Sequence, residues 1–216
     1  MPFAARESFA KVGRVGSSID VEWGTIKTRH ELNEARVTTK NEGTSVQMFT
    51  TSLQSPWGWV ALAGSDAGLC ELHLADTRER VLSLLEAAPV SHTVSHVSAG
   101  APVFGGYSAF DIVEGLSAGQ DMGDLTLDFR GTVFQTKIWQ ALRTIPLGST
   151  LSYQQFANRL GMPTATRAVA SACGKNRLAL LVPCHRIVRA DGGLGGYRWG
   201  IERKRRILEL ESSDSD

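Results

Sequence analysis

Residues Pro183-Cys184-His185-Arg186-Ile187 put a thiol beside an imidazole and a guanidinium. The thiolate is the reactive form of cysteine, and a neighbouring base or positive charge favours it. Cys184 is thus a candidate nucleophile and His185 a candidate base, with Arg186 as a source of charge. The apolar run Leu178–Val182 feeds into this pentad. It reads as a buried strand that Pro183 breaks, which would leave Cys184 where the chain exits the core. A buried structural cysteine beside a surface histidine is the competing reading of the same five residues. Cys70 and Cys173 complete a set of three cysteines with no CxxC pair. That sparse, odd set predicts reduced thiols in a cytosolic setting and no cysteine zinc site.

The elements around the pentad read as two units after a polar extension over residues 1–45, which shows no sustained periodicity. The first unit, residues 46–130, reads as a small α/β domain with an antiparallel sheet. Residues 46–63 and 68–75 read as strands joined at Gly64-Ser65-Asp66. Arg78–Ala87 has apolar residues at helical spacing. Pro89–Gly100 reads as a loop, Val103–Ala118 as a helix weakened by Gly105-Gly106, and Leu125–Phe129 as a strand.

The second unit, residues 131–216, reads as mostly helical. Thr132 with Gln135 and Ser152 with Gln155 are capping boxes that open two helices. Gly161-Met162-Pro163 turns the chain, and Thr164 is placed to cap a third helix that stops at Gly174. Helix, short turn, helix is the helix-turn-helix pattern. The fold class expected is therefore α+β, with a mostly helical, winged-helix-like second domain.

The net charge of +1 hides an asymmetry. Residues 130–206 hold fourteen Lys or Arg against Asp191 and Glu202, while residues 1–129 carry a net −7 and the last ten residues a net −4. A segment this basic predicts a polyanionic partner, most simply nucleic acid, or else a solvated basic face. No run of 18 apolar residues is present, so no membrane span is expected. The start of the chain lacks the pattern of a secretory signal. A cytoplasmic location follows, or a nuclear one in a eukaryotic cell.

The pentad lies among Ser152-Tyr153-Gln154-Gln155, Thr166-Arg167-Ala168-Val169-Ala170, Gly174-Lys175-Asn176 and Gly195-Gly196-Tyr197-Arg198-Trp199-Gly200. In that order and spacing these segments resemble the O6-alkylguanine-DNA alkyltransferases, in their bacterial form and in the alkyltransferase half of the adaptive-response protein. The resemblance runs from about Gly131 to Glu211 and is loose before that. Residues 1–45 show neither the metal-bound cysteine module nor the activator-type segment of the adaptive-response branch.

The resemblance implies direct-reversal DNA repair. The Cys184 thiolate would take a methyl group irreversibly from O6-alkylguanine, and also from O4-methylthymine, in duplex DNA. That makes the chain a single-turnover methylated-DNA–protein-cysteine methyltransferase with no cofactor and no metal. The partner implied is double-stranded DNA with alkylated bases, approached through the minor groove by a monomer.

The resemblance also implies roles. His185 takes the thiol proton through a water and is held by a glutamate. Among Glu202, Glu209 and Glu211, an idealised helical wheel puts the apolar arc at about 280°, where Glu211 falls, and Glu209 at about 80°. Asn176 steadies the turn before the active-site loop, or caps the preceding helix. Tyr153 donates a proton to guanine N3. Arg167 fills the gap left by the extruded base, with Thr166, Ala168, Ser152 and Arg186 facing DNA. Tyr197, Arg198, Trp199 and Ile187 wall the alkyl pocket. The bulk of Arg198 and Trp199 predicts poor acceptance of groups such as benzyl.

Three other functions compete on the residues themselves. A non-catalytic alkyl-lesion binding protein would lack the acceptor cysteine. A cysteine hydrolase would leave the basic helix-turn-helix unexplained, and a transcription factor would leave the pentad unexplained.

Overall fold

The computed structural model describes residues 47–86, 93–120 and 122–213. The extension over residues 1–45 lies outside them. Three strands, β1 (Gln47–Ser55), β2 (Gly58–Ser65) and β3 (Gly68–Ala75), form an antiparallel meander. A fourth, β4 (Thr93–His96), pairs parallel with β1, giving the order β3-β2-β1-β4. Helix α1 (Arg78–Glu86) packs on β2 and β3, and α2 (Ala109–Ser117) contacts β1.

Several expectations shift in this unit. The stretch 46–63 is two strands, because Pro56 has no N–H for the ladder and Pro56-Trp57 turns the chain. The second turn falls at Asp66-Ala67 rather than Gly64-Ser65-Asp66. β4 lies inside the predicted loop. Its four residues carry almost no pattern of their own and gain their hydrogen bonds from β1. The helix expected from Val103 starts at Ala109, where Ser108 and Asp111 form a capping box. Gly105 and Gly106, both with positive φ, make a turn before it. Leu125–Phe129 is an extended segment with one parallel bridge, Leu69 to Leu127, and not a strand of the sheet.

The second unit holds α3 (Val133–Leu142), the short β5 (Leu151–Ser152), α4 (Tyr153–Arg159), α5 (Thr166–Gly174), a single 3-10 turn (Cys184–Arg186), β6 (Ile187–Val188) and α6 (Ile201–Ser213). Both capping boxes form as the sequence predicts. The cap of α5 does not. Its N-cap is Ala165 with no side-chain bond, and Thr166 instead donates to Gln154 on α4. The helix-turn-helix is α4 and α5, with Val169, Ala172 and Cys173 packed inward.

One apolar core runs through both units, from Leu53, Leu62 and Leu72 in the sheet to Ile138, Phe156, Val182 and Ile207. The outer edge of β3 is where they join. Leu69 N donates to Thr126 O and Asp128 N to Leu69 O, and further along Leu72 N donates to Arg177 O and Ala179 N to Leu72 O. An edge strand otherwise exposes unpaired backbone groups, and here both units cover it. Gly68 begins β3 at φ +128, and a Cβ there would lie 2.6 Å from Thr126 O. Gly68→Ala is expected to lower stability by about 2 kcal/mol in urea unfolding, through overpacking and a backbone conformation only glycine adopts readily.

Candidate functional site

The apolar run before the pentad is not a strand. After one bridge from Leu178 to Leu72, the chain turns through residues 179–181, and Leu180 sits at φ 67. A left-handed conformation costs a leucine about 1–2 kcal/mol. Asn176, itself buried, holds this turn. Its Oδ1 accepts from Leu178 N at 2.9 Å, and its Nδ2 donates to Val182 O at 2.8 Å and Leu178 O at 3.3 Å. The same Nδ2 lies 3.2 Å from Cys184 Sγ. One amide therefore closes the loop and addresses the thiol.

Cys184 is 7% exposed and opens the 3-10 turn. It faces a cavity of about 220 Å³ whose lining includes Tyr153, Cys173, Gly196, Tyr197 and Arg198. Burial pushes the thiol from 9.0 up to about 11, against the Asn176 hydrogen bond and the Lys204 ammonium, which both favour thiolate. A base is thus needed near neutral pH. A larger groove of about 500 Å³ lies between Trp57, Leu116, Ile145 and Ile207. Among the described residues neither a cysteine nor a histidine lines it, so the smaller cavity is the candidate site.

His185 is fully buried, and its Nε2 lies 2.9 Å from Glu211 Oε1. Glu211 occupies the inward position that the helical wheel assigns it. Burial raises its carboxyl, but hydrogen bonds from His185 and Arg186 bring it down to about 2, so it is a carboxylate. A carboxylate only accepts, so His185 Nε2 carries the proton and Nδ1 presents a lone pair. Nδ1 has no protein hydrogen-bond partner among the described residues. Burial, outweighing Glu211, lowers the imidazole below its ordinary value and keeps it neutral near pH 7.

Arg186 does not face outward. Its Nε and Nη2 grip Glu211 at 2.9 and 2.8 Å, and Nη1 donates to Ile145 O. Pairing and helix capping likewise engage two other residues expected at DNA. Ser152 is buried and accepts from Gln155 N as the cap of α4, and Thr166 Oγ1 is tied to Gln154. Arg167 and Ala168 are exposed, and Ser171, Gly174 and Lys175 continue their face of α5. The basic surplus is thus divided. Arg130, Arg177, Arg186 and Arg203 are taken up in ion pairs within the chain.

Of the expected pocket walls, Tyr197 and Arg198 line the cavity. Trp199 and Ile187 stand behind it: Trp199 is buried edge-on against Tyr197, with ring centroids 5.1 Å apart, and Ile187 is in β6. Tyr153 starts α4 and lines the cavity, its phenol raised by burial and by Cys173 and Cys184, so it keeps its proton. Sequence reasoning passed over Lys204. It is fully buried and donates to Ile187 O and Leu194 O, and burial pulls it down to about 8. Only its place between Arg203 and Arg205 on a charged helix was visible, which gives no sign of burial.

A family model for the DNA-binding domain of 6-O-methylguanine DNA methyltransferases matches residues 133–213. A methylated-DNA–protein-cysteine methyltransferase of Mycolicibacterium paratuberculosis is 39% identical over 166 residues, covering 76% of this chain and 92% of that relative. The chain belongs to the O6-methylguanine-DNA methyltransferase family. Among solved structures of that family, the Mycobacterium tuberculosis O6-methylguanine methyltransferase matches with a TM-score of 0.61 and 39% identity, covering 78% of this chain and 95% of that one. The Escherichia coli bifunctional transcriptional activator/DNA repair enzyme Ada is 42% identical over 160 residues, 74% of this chain but 44% of that protein. The chain spans about half the length of the first curated relatives it matches, between 44% and 54%.

Family membership covers the fold, and the Glu211 cluster gives it a pH signature. A carboxyl held at about 2 against an ordinary 4.5 stabilises the folded state fully above pH 4.5, and loses that contribution as pH falls towards 2. Glu211→Gln is expected to cost about 3 kcal/mol at pH 7 by unpairing buried charges. The gap in urea midpoint between wild type and variant should close as pH drops through that window.

Proposed function

We propose that the protein repairs alkylated DNA by moving one methyl group from guanine O6 to Cys184, once per molecule, with residues 131–216 as the DNA-binding and acceptor unit. The observation that carries this reading is a buried thiol on a small cavity, with a neutral imidazole held by a carboxylate beside it. Relatives named methylated-DNA–protein-cysteine methyltransferases support it, as does a family crystal structure in complex with DNA.

In this reading His185 Nδ1 takes the thiol proton through a bridging water, and Glu211, itself positioned by Arg186, stabilises the imidazolium that results. The thiolate attacks the methyl carbon, the sulfur–carbon bond forms, and the carbon–O6 bond breaks with its electron pair left on guanine. Tyr153 gives its proton to guanine N3, so guanine leaves as a neutral base. Solvent then returns a proton from His185 to Tyr153. The thioether has no hydrolytic route back, so the reaction ends there. Neither a cofactor nor a metal enters any step.

The target methyl lies inside the duplex stack, so the nucleotide must leave it. We assign Arg167 to the space the base vacates. The exposed face of α5, small at Ala168 and Ser171 between Arg167 and Lys175, suits close approach along the minor groove as a monomer. Transfer from O4-methylthymine would use the same thiol. The competing reading, a lesion binder without chemistry, has nothing for the thiol to do.

A duplex bearing one radiolabelled O6-methylguanine, given to limiting protein, tests the proposal. One methyl per molecule on the peptide containing Cys184, and none in Cys184→Ser, is the expected result. Binding without transfer would establish the lesion binder instead, and repeated turnover a hydrolytic enzyme. Arg167→Ala should slow transfer from duplex DNA by about tenfold or more, since base extrusion costs a few kcal/mol, while transfer from the free base O6-methylguanine stays unchanged. Equal loss on both substrates would remove Arg167 from that role.

A further inference from the structure

Behind the cavity lies a buried polar chain that the transfer chemistry does not use. Glu71 and His73, on the same face of β3, are 2% and 0% exposed. His73 Nε2 lies 3.0 Å from Glu71 Oε2, and Trp199 Nε1 donates to His73 Nδ1 at 3.1 Å. Arg177 Nη1 stands 3.3 Å from Glu71 Oε1. The directions are fixed by what each group can do. An indole N–H only donates, so His73 Nδ1 must accept, and its single proton sits on Nε2, pointing at the carboxylate. The histidine is held in one tautomer and one orientation.

Both ends of the chain reach the site. Arg177 directly follows Asn176, whose amide addresses Cys184. Trp199 packs edge-on against Tyr197, which lines the cavity and packs in turn against His185 at 6.3 Å. Trp199 is also bound through its carbonyl by Arg203, which reaches Trp57 O and Asp76 of the first unit. A buried indole N–H without its acceptor would be costly, so the loop cannot settle elsewhere without losing this bond.

We propose that Glu71 and His73 are positioning residues that anchor Trp199 and so fix the Tyr197–Arg198 wall of the cavity, setting the size of alkyl group that Cys184 accepts. The inference rests on the transfer reading above. The sheet unit is then part of the specificity apparatus, although none of its described residues lines the cavity.

The test compares the full chain with His73→Leu, which removes the acceptor, and His73→Asn, whose Oδ1 replaces Nδ1. Transfer of methyl from O6-methylguanine in duplex DNA and of benzyl from free O6-benzylguanine are measured side by side. The benzyl-to-methyl rate ratio should rise about tenfold or more in His73→Leu, the scale of one buried hydrogen bond left unmade, and return towards wild type in His73→Asn. An unchanged ratio, or equal changes in both variants, overturns the proposal. Trp199→Phe removes the donor while keeping a ring, so it should raise the ratio even where His73→Leu does not fold; a wild-type ratio there also overturns it.

A readout in the free protein separates this inference from the function. The Trp199 indole N–H should exchange with solvent about tenfold faster in His73→Leu than in wild type. Equal exchange overturns the anchor, whereas failure of wild-type protein to accept methyl overturns only the transfer reading.

Discussion

The Asn176 carboxamide is the interaction on which the site depends. It is a side chain performing the work of a strand. It accepts from Leu178 N, donates to the carbonyls of Leu178 and Val182, and lies against Cys184 Sγ. Those bonds satisfy Leu178 N, Leu178 O and Val182 O, so the apolar run can turn tightly inside the core. They also hold Leu180 at a φ that leucine avoids. Take the amide away and the turn has no reason to persist, and the thiol no reason to face the cavity.

The sheet enters the site through its edge. β3 is buried at every position, yet it is the terminal strand, and its free backbone groups are met by Arg177 and Ala179 from the other unit. The loop that Asn176 folds is therefore laid along a rigid strand. The polar pair Glu71 and His73 on that strand extends the same contact to Trp199. The loop that carries Cys184 and the loop behind the cavity thus share one support.

The parts legible in the sequence are those fixed by local pattern. The capping boxes at Thr132 and Ser152 form as read, because a hydroxyl and an amide three residues apart suffice to build one. Glu211 is found beside His185 because helical periodicity decides which side of α6 faces inward. What failed was set by tertiary context. The Leu178–Val182 run has strand composition, but its hydrogen bonds are divided between Asn176, Leu72 on β3 and turns within the run. Arg186 and Ser152 have the chemistry of DNA contacts, but they are used inside, by Glu211 and by the α4 cap. β4 owes its existence to β1. Glu71 and His73 alternate with leucines in β3, and nothing in that alternation says that their partner lies at Trp199.

The smallest sheet has a consequence of its own. β5 and β6 are two residues each, paired in parallel at Leu151 with Ile187 and Ser152 with Val188. One strand leads directly into Tyr153 and the other directly out of the turn that begins at Cys184. A ladder this short can do little for stability, but it locks two distant stretches of chain into one register. Tyr153 and Cys184, the proton donor and the nucleophile of the proposed reaction, are therefore spaced when the protein folds. In the proposed reaction the entropy of bringing them together is settled on folding, which would leave only the damaged base to place.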